Sequence, residues 1–497
     1  MIHLRTGIAS IALGAATITF AQSTAPGTPY PSPQPWKAIV IPPLHPFKPT
    51  QPKRIELKNG VIIFLQEDHE LPFISGTINI KGGERDVPAA KAGLIDLYQE
   101  TWRTSGTATI NGDKLDDLLE AKAAKVETDG DIDSTAVTWN CLKANEDQVF
   151  GIVIDLLEHP AFDDQKLQLA KQQMAAAIVR RNDEAAGIAG REAARLVYGK
   201  ANPYARVPEL ATVMPISTAD LKQWHDQTLI ANNIIVSVSG DFDGAAMERK
   251  ITEAFGSLPR GKPAPPAGND FAGPTPGVYL INKTDINQSH VAILGLGTER
   301  SNPDYYALSV MNEIFSGGFG SRLFQNVRTK LGLAYSVAGS YGASFDHPGM
   351  FRVAASTRSE NTLKATQEML RQIKELKTLP FTEEELRNAK DQVLNSFIFE
   401  YDSREKVLAN RTQLEFYGYP ADYLEKYHDG VEKVTTADLE RVAKKYIDPS
   451  KLAILVVGNA SEFGNSLDDL GLGKPQPLDI TIPMPPGMAP PPGGPGQ

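Results

Sequence analysis

The eight histidines are His3, His45, His69, His159, His225, His290, His347 and His428, and no two are close enough to share a turn of helix. A hydrolytic zinc takes three protein ligands, chiefly His and carboxylate, and keeps a fourth position open. A local pair of the HExxH or HxxEH kind is therefore excluded. Asp155-Leu156-Leu157-Glu158-His159 comes nearest, but its first histidine is missing and Pro160 follows, so it reads as the end of a helix. The lone Cys141 has no disulfide partner in the chain and reads as core packing. Two longer strings carry the remaining chemistry. One is Gly93-Leu94-Ile95-Asp96-Leu97-Tyr98-Gln99-Glu100, running on to Gly106-Thr107; the other is the glycine-rich run from Ser316 to Val337.

The first string resembles the zinc helix of the pitrilysin/insulinase class of peptidases, in which a Gly-Leu opening, HxxEH and a closing Gly-Thr follow in that order. The resemblance implies two histidine ligands, a glutamate general base and a more distant glutamate as third ligand. Here the first ligand position is Asp96, the base Gln99, the second ligand Glu100 and the distant ligand Ala177. All four are changed. Asp96 and Glu100 share a helical face, but two carboxylates without a nitrogen ligand are a weak site for zinc, Gln99 cannot take a proton from water, and Ala177 offers no donor.

The second string, Ser316-Gly317-Gly318-Phe319-Gly320-Ser321-Arg322-Leu323-Phe324-Gln325 and on through Arg328 to Tyr335, resembles the C-terminal-domain signature of the same family. There an Arg and a Tyr seven residues later face the zinc across a chamber and bind substrate; Arg328 and Tyr335 fall on those positions. Zinc-assisted peptide hydrolysis places negative charge on the carbonyl oxygen, which a guanidinium or phenol can stabilise. Gly317, Gly318 and Gly320 would let the loop backbone approach a peptide or a partner closely. The resemblance covers residues 52 to 475.

These residues must be positioned by a repeated scaffold. Ser217-Thr218-Ala219-Asp220-Leu221 recurs as Thr435-Thr436-Ala437-Asp438-Leu439, and each is followed by an apolar run ending in glycine, Ile234 to Gly240 and Leu452 to Gly458, at an offset of 218. Upstream, Phe162, Leu167, Ala170, Lys171 and Gln173 recur as Phe381, Leu386, Ala389, Lys390 and Gln392 at an offset of 219. Agreement to one residue over this distance marks a tandem duplication. The expected fold is α+β, two homologous domains, each a mainly antiparallel sheet covered by helices. Expected boundaries are a signal peptide over 1–21, a proline-rich strap over 22–51, a first domain over 52–260, a Pro/Gly hinge over 261–276, a second domain over 277–475 and a Pro/Gly-rich tail over 476–497. Asn59-Gly60 predicts a hairpin, Phe73 to Ile80 a half-buried strand, and Thr382 with Glu385 a capping box opening a helix.

Size and charge narrow the function. A chain of 497 residues exceeds one hydrophobic core, and a formal charge of -10 with a pI near 5.4 argues against nucleic acid. His3 and Arg5, the apolar Gly7 to Phe20 and the small Ala21 read as a secretory signal, and no later stretch is apolar enough to span a bilayer. The expectation is therefore a periplasmic or secreted accessory subunit of a heterodimeric zinc metallopeptidase, inactive on its own and without a metal of its own. Zinc is expected in a homologous HxxEH-bearing partner, with a peptide as substrate. The rival expectation is a non-catalytic structural or peptide-binding protein of the same fold, in which Arg328 and Tyr335 are dispensable.

Overall fold

Asn59 and Gly60 turn the chain between its first two strands, Gly60 taking the left-handed φ of +95° that favours glycine. The structure, a computed structural model, describes residues 49–484 except 264, 266, 267, 269 and 270. The expected signal segment, nearly all of the strap and residues 485–497 of the tail lie outside the described residues. Six strands form the first sheet: β1 (Lys53–Glu56), β2 (Ile62–Glu67), β3 (Phe73–Lys81), β4 (Lys125–Gly130), β5 (Ser134–Leu142) and β6 (Ile234–Gly240), ordered β1-β2-β6-β3-β5-β4. The second half contributes β7 (Gly277–Asn282), β8 (Gln288–Leu296), β9 (Thr298–Glu299), β10 (Ser336–Tyr341), β11 (Ala343–Ser344), β12 (Met350–Arg358), β13 (Ala453–Gly458) and β14 (Gln476–Pro477). Its main sheet is ordered β10-β12-β8-β13-β7-β14, while β9 and β11 pair separately.

The order β2-β6-β3-β5-β4 in the first half is answered by β7-β13-β8-β12-β10 in the second, with the β2–β6 and β7–β13 contacts both parallel and the rest of these pairs antiparallel. The chain is thus two tandem α+β domains of one topology. The repeat extends to single hydrogen bonds. Ser217 and Asp220 cap one helix, Thr435 and Asp438 its counterpart. Lys171 Nζ donates to Met214 O at 2.8 Å, and Lys390 Nζ donates to Glu432 O at 2.7 Å. Each lysine closes the C-terminal end of a helix, where the last carbonyls lack partners within the helix.

Each sheet packs one face on its own helices, building the cores around Tyr98, Trp102 and Leu156 in the first half and around Met311, Met369 and Val456 in the second. The other face is covered by exchange. Helix Ala185–Tyr198, from the first half, seats Ile188, Ala189, Ala193 and Val197 on Tyr279, Ile281, Leu294 and Leu455 of the second sheet. Helix Arg404–Phe416, from the second half, seats Leu408 on Phe64 and Ile235 of the first. This explains why β6 and β13, the central strands, are apolar or small along their length: both of their faces are covered.

At the start of the expected Pro/Gly-rich tail, Gln476–Pro477 add a strand to the second sheet, and the chain stays packed on the protein beyond them. β14 pairs with β7, Leu478 N donates to Leu280 O at 2.9 Å, and Asn182 Nδ2 donates to Ile480 O at 2.7 Å. The apolar Leu478, Ile480 and Ile482 among the prolines give this stretch something to bury.

Candidate functional site

Helix Leu94–Ser105 opens at Gly93, whose φ is +97°. The Glu84 carboxylate accepts from the N–H groups of Gly93 at 3.0 Å and Ile95 at 3.4 Å, placing a negative charge at the positive end of the helix. Burial pushes this carboxyl up to about 7 against the pull of those two donors. Leu94, Ile95, Leu97, Tyr98 and Trp102 turn inward. Trp102 Nε1 donates to Leu156 O at 2.7 Å, and the Tyr98 hydroxyl meets His225 Nδ1 at 2.8 Å. With His225 Nε2 lying 2.8 Å from Leu157 O, the ring donates there and accepts from Tyr98, so this histidine is neutral core.

The opposite face carries Asp96, Gln99 and Glu100. Asp96 and Glu100 are exposed, and crowding by the surrounding protein raises the Asp96 carboxyl above its usual range. Gln99 is occupied: its amide oxygen accepts from Gly130 N, and its backbone carbonyl accepts from Thr128 Oγ1 at 2.6 Å. Arg103 Nε likewise donates to Val126 O. The helix therefore covers the edge strand β4 with side chains from the very turns where the family resemblance places catalysis. Ala177 is an exposed methyl on helix Asp164–Arg180, which packs beside it. Two carboxylates, an amide engaged elsewhere and a methyl do not fit a zinc ion. The one close grouping of three His or acidic donors among the described residues is His428, Asp429 and Glu432, on an open helix surface of the second half.

In the second half, helix Tyr305–Ser316 ends at Gly317, where an added Cβ would fall 1.9 Å from Glu313 Oε1. Gly318 follows with φ +72°, and Gly320 faces open space. The first two glycines thus have reasons within the chain; only Gly320 is left open to a visitor. The next segment, Phe324–Lys330, is a π-helix, a conformation concentrated at functional positions. It is pinned by buried Leu323 and Val327 and by Arg322, whose guanidinium grips both Glu385 oxygens at 2.6 and 2.7 Å.

That anchoring leaves Arg328 and Tyr335 outward and together. The Arg328 guanidinium lies 4.9 Å from the Phe324 ring and 5.8 Å from the Tyr335 ring, and it has no carboxylate partner among the described residues. Tyr335, just ahead of β10, is 78% exposed, and Phe319 is 75% exposed with its ring edge-on to Phe324 at 4.9 Å. Leu331 adds to the same exposed stretch of chain. Sequence reasoning singled out Arg328, Tyr335 and the glycines but not Phe319, Phe324 and Leu331, which lie on the same stretch of chain. The available signal was a phenylalanine set between glycines, where no regular element can turn it inward.

Residues 215–393 match the family model described as "Peptidase M16 inactive domain". A Bacillus subtilis protein named "Uncharacterized zinc protease YmxG" is 23% identical over 367 residues, 73% of this chain and 88% of that one. The Helicobacter pylori "Non-peptidase homolog YmxG" is 24% identical over 405 residues, 80% of this chain and 92% of that one. The crystal structure of a peptidase M16 inactive domain from Pseudomonas fluorescens shares the fold with a TM-score of 0.74 at 23% identity, covering 86% of this chain and 100% of that one. Residues 215–393 are thus similar to the M16 inactive domain, the fold is shared with that crystal structure, and Asp96, Gln99, Glu100 and Ala177 offer no zinc-binding set among the described residues.

Proposed function

We propose that this protein is the non-zinc subunit of a heterodimeric M16 peptidase, exported to the periplasm or beyond, and that it presents Arg328 and Tyr335 to peptide bound at a partner's zinc. The observation that carries this reading is the unpaired Arg328 beside an exposed tyrosine on a rigidly anchored turn. A guanidinium with no acidic partner among the described residues, backed by rings, is a donor held ready for an outside oxyanion or carbonyl. The H. pylori relative's description as a non-peptidase homolog agrees with inactivity of the isolated chain.

The test is reconstitution with an HxxEH-bearing companion, measuring zinc content, subunit ratio and peptide hydrolysis. Arg328→Ala should leave assembly and the partner's zinc intact while lowering turnover about a hundredfold to a thousandfold. Tyr335→Phe should cost less, because the guanidinium carries the charge. A doubly substituted complex that hydrolyses at the unmodified rate would overturn the reading in favour of a structural or peptide-binding role.

A further inference from the structure

Beside the glycine loop, the second half holds a cleft of about 420 Å³ that the reading above does not use. Its walls are aromatic. Tyr305, Phe397 and Tyr427 line it, with the Phe397 and Tyr427 rings stacked at 5.8 Å and those of Tyr305 and Tyr427 5.6 Å apart. Two carboxylates, Glu313 and Glu400, share the lining. Glu313 forms no ion pair and accepts no hydrogen bond among the described residues, and its Oε1 is closed off from solvent. The Tyr423 hydroxyl, on a lining side chain only 7% exposed, also lacks a partner. Arg300 borders the cleft, but its guanidinium stacks on Phe345 at 4.1 Å and its Nε donates to Ala343 O at 3.4 Å, so it does not neutralise Glu313.

A half-buried carboxylate with one oxygen closed off from water and no counter-charge is unfavourable, and aromatic faces attract cations. The volume lies in the range of small-ligand sites. We propose that this cleft binds an organic cation, an ammonium or guanidinium group, with Glu313 as its counter-charge and the rings of Tyr305, Phe397 and Tyr427 as its walls. The cation is either a free small molecule or the end of a lysine or arginine side chain on a peptide. Gly317 belongs to the same construction, since any side chain there would displace the Glu313 carboxylate.

The full chain, without any partner, can be titrated calorimetrically with the amides of acetyl-lysine, acetyl-arginine and acetyl-norleucine, and with an alanine peptide carrying one central lysine. The two cationic amides should bind and norleucine, of similar length but uncharged, should not. Glu313→Gln should weaken binding about tenfold or more, as should Tyr427→Leu, while Tyr427→Phe keeps the ring and the affinity. Tighter binding of the peptide than of the amides identifies a side chain as the source; equal binding identifies a free cation. No binding at millimolar concentration, equal binding of norleucine, or Glu313→Gln and Tyr427→Leu variants that melt normally and bind unchanged would overturn the proposal. Because neither Arg328 nor a companion is involved, the result stands apart from the test of heterodimer function.

Discussion

Both sheets receive a helix from the opposite half, but the two contacts are unequal. Over the second sheet, Ile188, Ala189, Ala193 and Val197 merge with Tyr279, Ile281, Leu294 and Leu455 into one apolar layer. Over the first, Leu408 alone of the helix's buried residues joins the cluster with Phe64 and Ile235, half-buried Phe416 and Ile62 flank it, and Ser75, Thr77, Asn79, Thr138, Ser237 and Ser239 floor a cleft of about 550 Å³ beneath helix Arg404–Phe416. Stabilisation follows the apolar area taken from water, so one exchange is rigid and the other compliant. Copying a topology did not copy its energetics: strand order survived duplication, while the outer faces diverged residue by residue.

The largest effect that would break this comparison is a charge placed in the rigid contact. Ile188→Asp buries an unpaired carboxylate in a fully enclosed site and should cost on the order of 4 kcal/mol in urea unfolding. A loss below about 1 kcal/mol would mean that this helix is not clamped. Leu408→Ala, next to the open cleft, should cost about 2 kcal/mol, the low end for such truncations; a loss matching that of Ile188→Asp would erase the distinction.

Acid sharpens the comparison from another side. Burial lowers the His225 pKa from its ordinary 6.5, so the folded first half holds the ring neutral. Its contribution is present above 6.5 and is lost as pH falls and the unfolded chain takes up the proton. Position 443, its counterpart in the second half, is Ala443. The stability difference between the unmodified protein and His225→Gln, measured by denaturant unfolding, should therefore shrink on acidification below 6.5; a constant difference would contradict the assignment. The smallest expected effect is Ser237→Val, which adds apolar surface to the compliant contact and should gain up to about 1 kcal/mol in the same assay.

The duplication was legible because both signals that carry it are local. Ser217 with Asp220, and Thr435 with Asp438, are capping boxes whose chemistry needs only neighbouring residues. The helix exchange was not legible, since apolar spacing along Ala185–Tyr198 reports that a face is buried without saying against which sheet. The same limit applies at the site. That Asp96, Gln99, Glu100 and Ala177 make a poor set of zinc donors could be read from residue type, but the bond from Gly130 N to Gln99 joins positions 31 residues apart through folding alone. Arg328 and Tyr335, seven apart, were found as a pair; the aromatic backing from Phe319 and Phe324 depends on a π-helical turn that residue periodicity does not announce.

The reciprocal helices carry a consequence for ancestry. A single domain of this kind, alone in water, has one sheet face with nothing over it, and the helix that would cover it reaches the neighbour instead. Before duplication, such a chain could complete itself only as a swapped homodimer, each copy roofing the other. In the present molecule each half supplies that roof to the other within one polypeptide. Within one polypeptide the two copies are free to differ, as their outer faces do, one polar beneath its covering helix and the other apolar, a freedom closed to a symmetric pair.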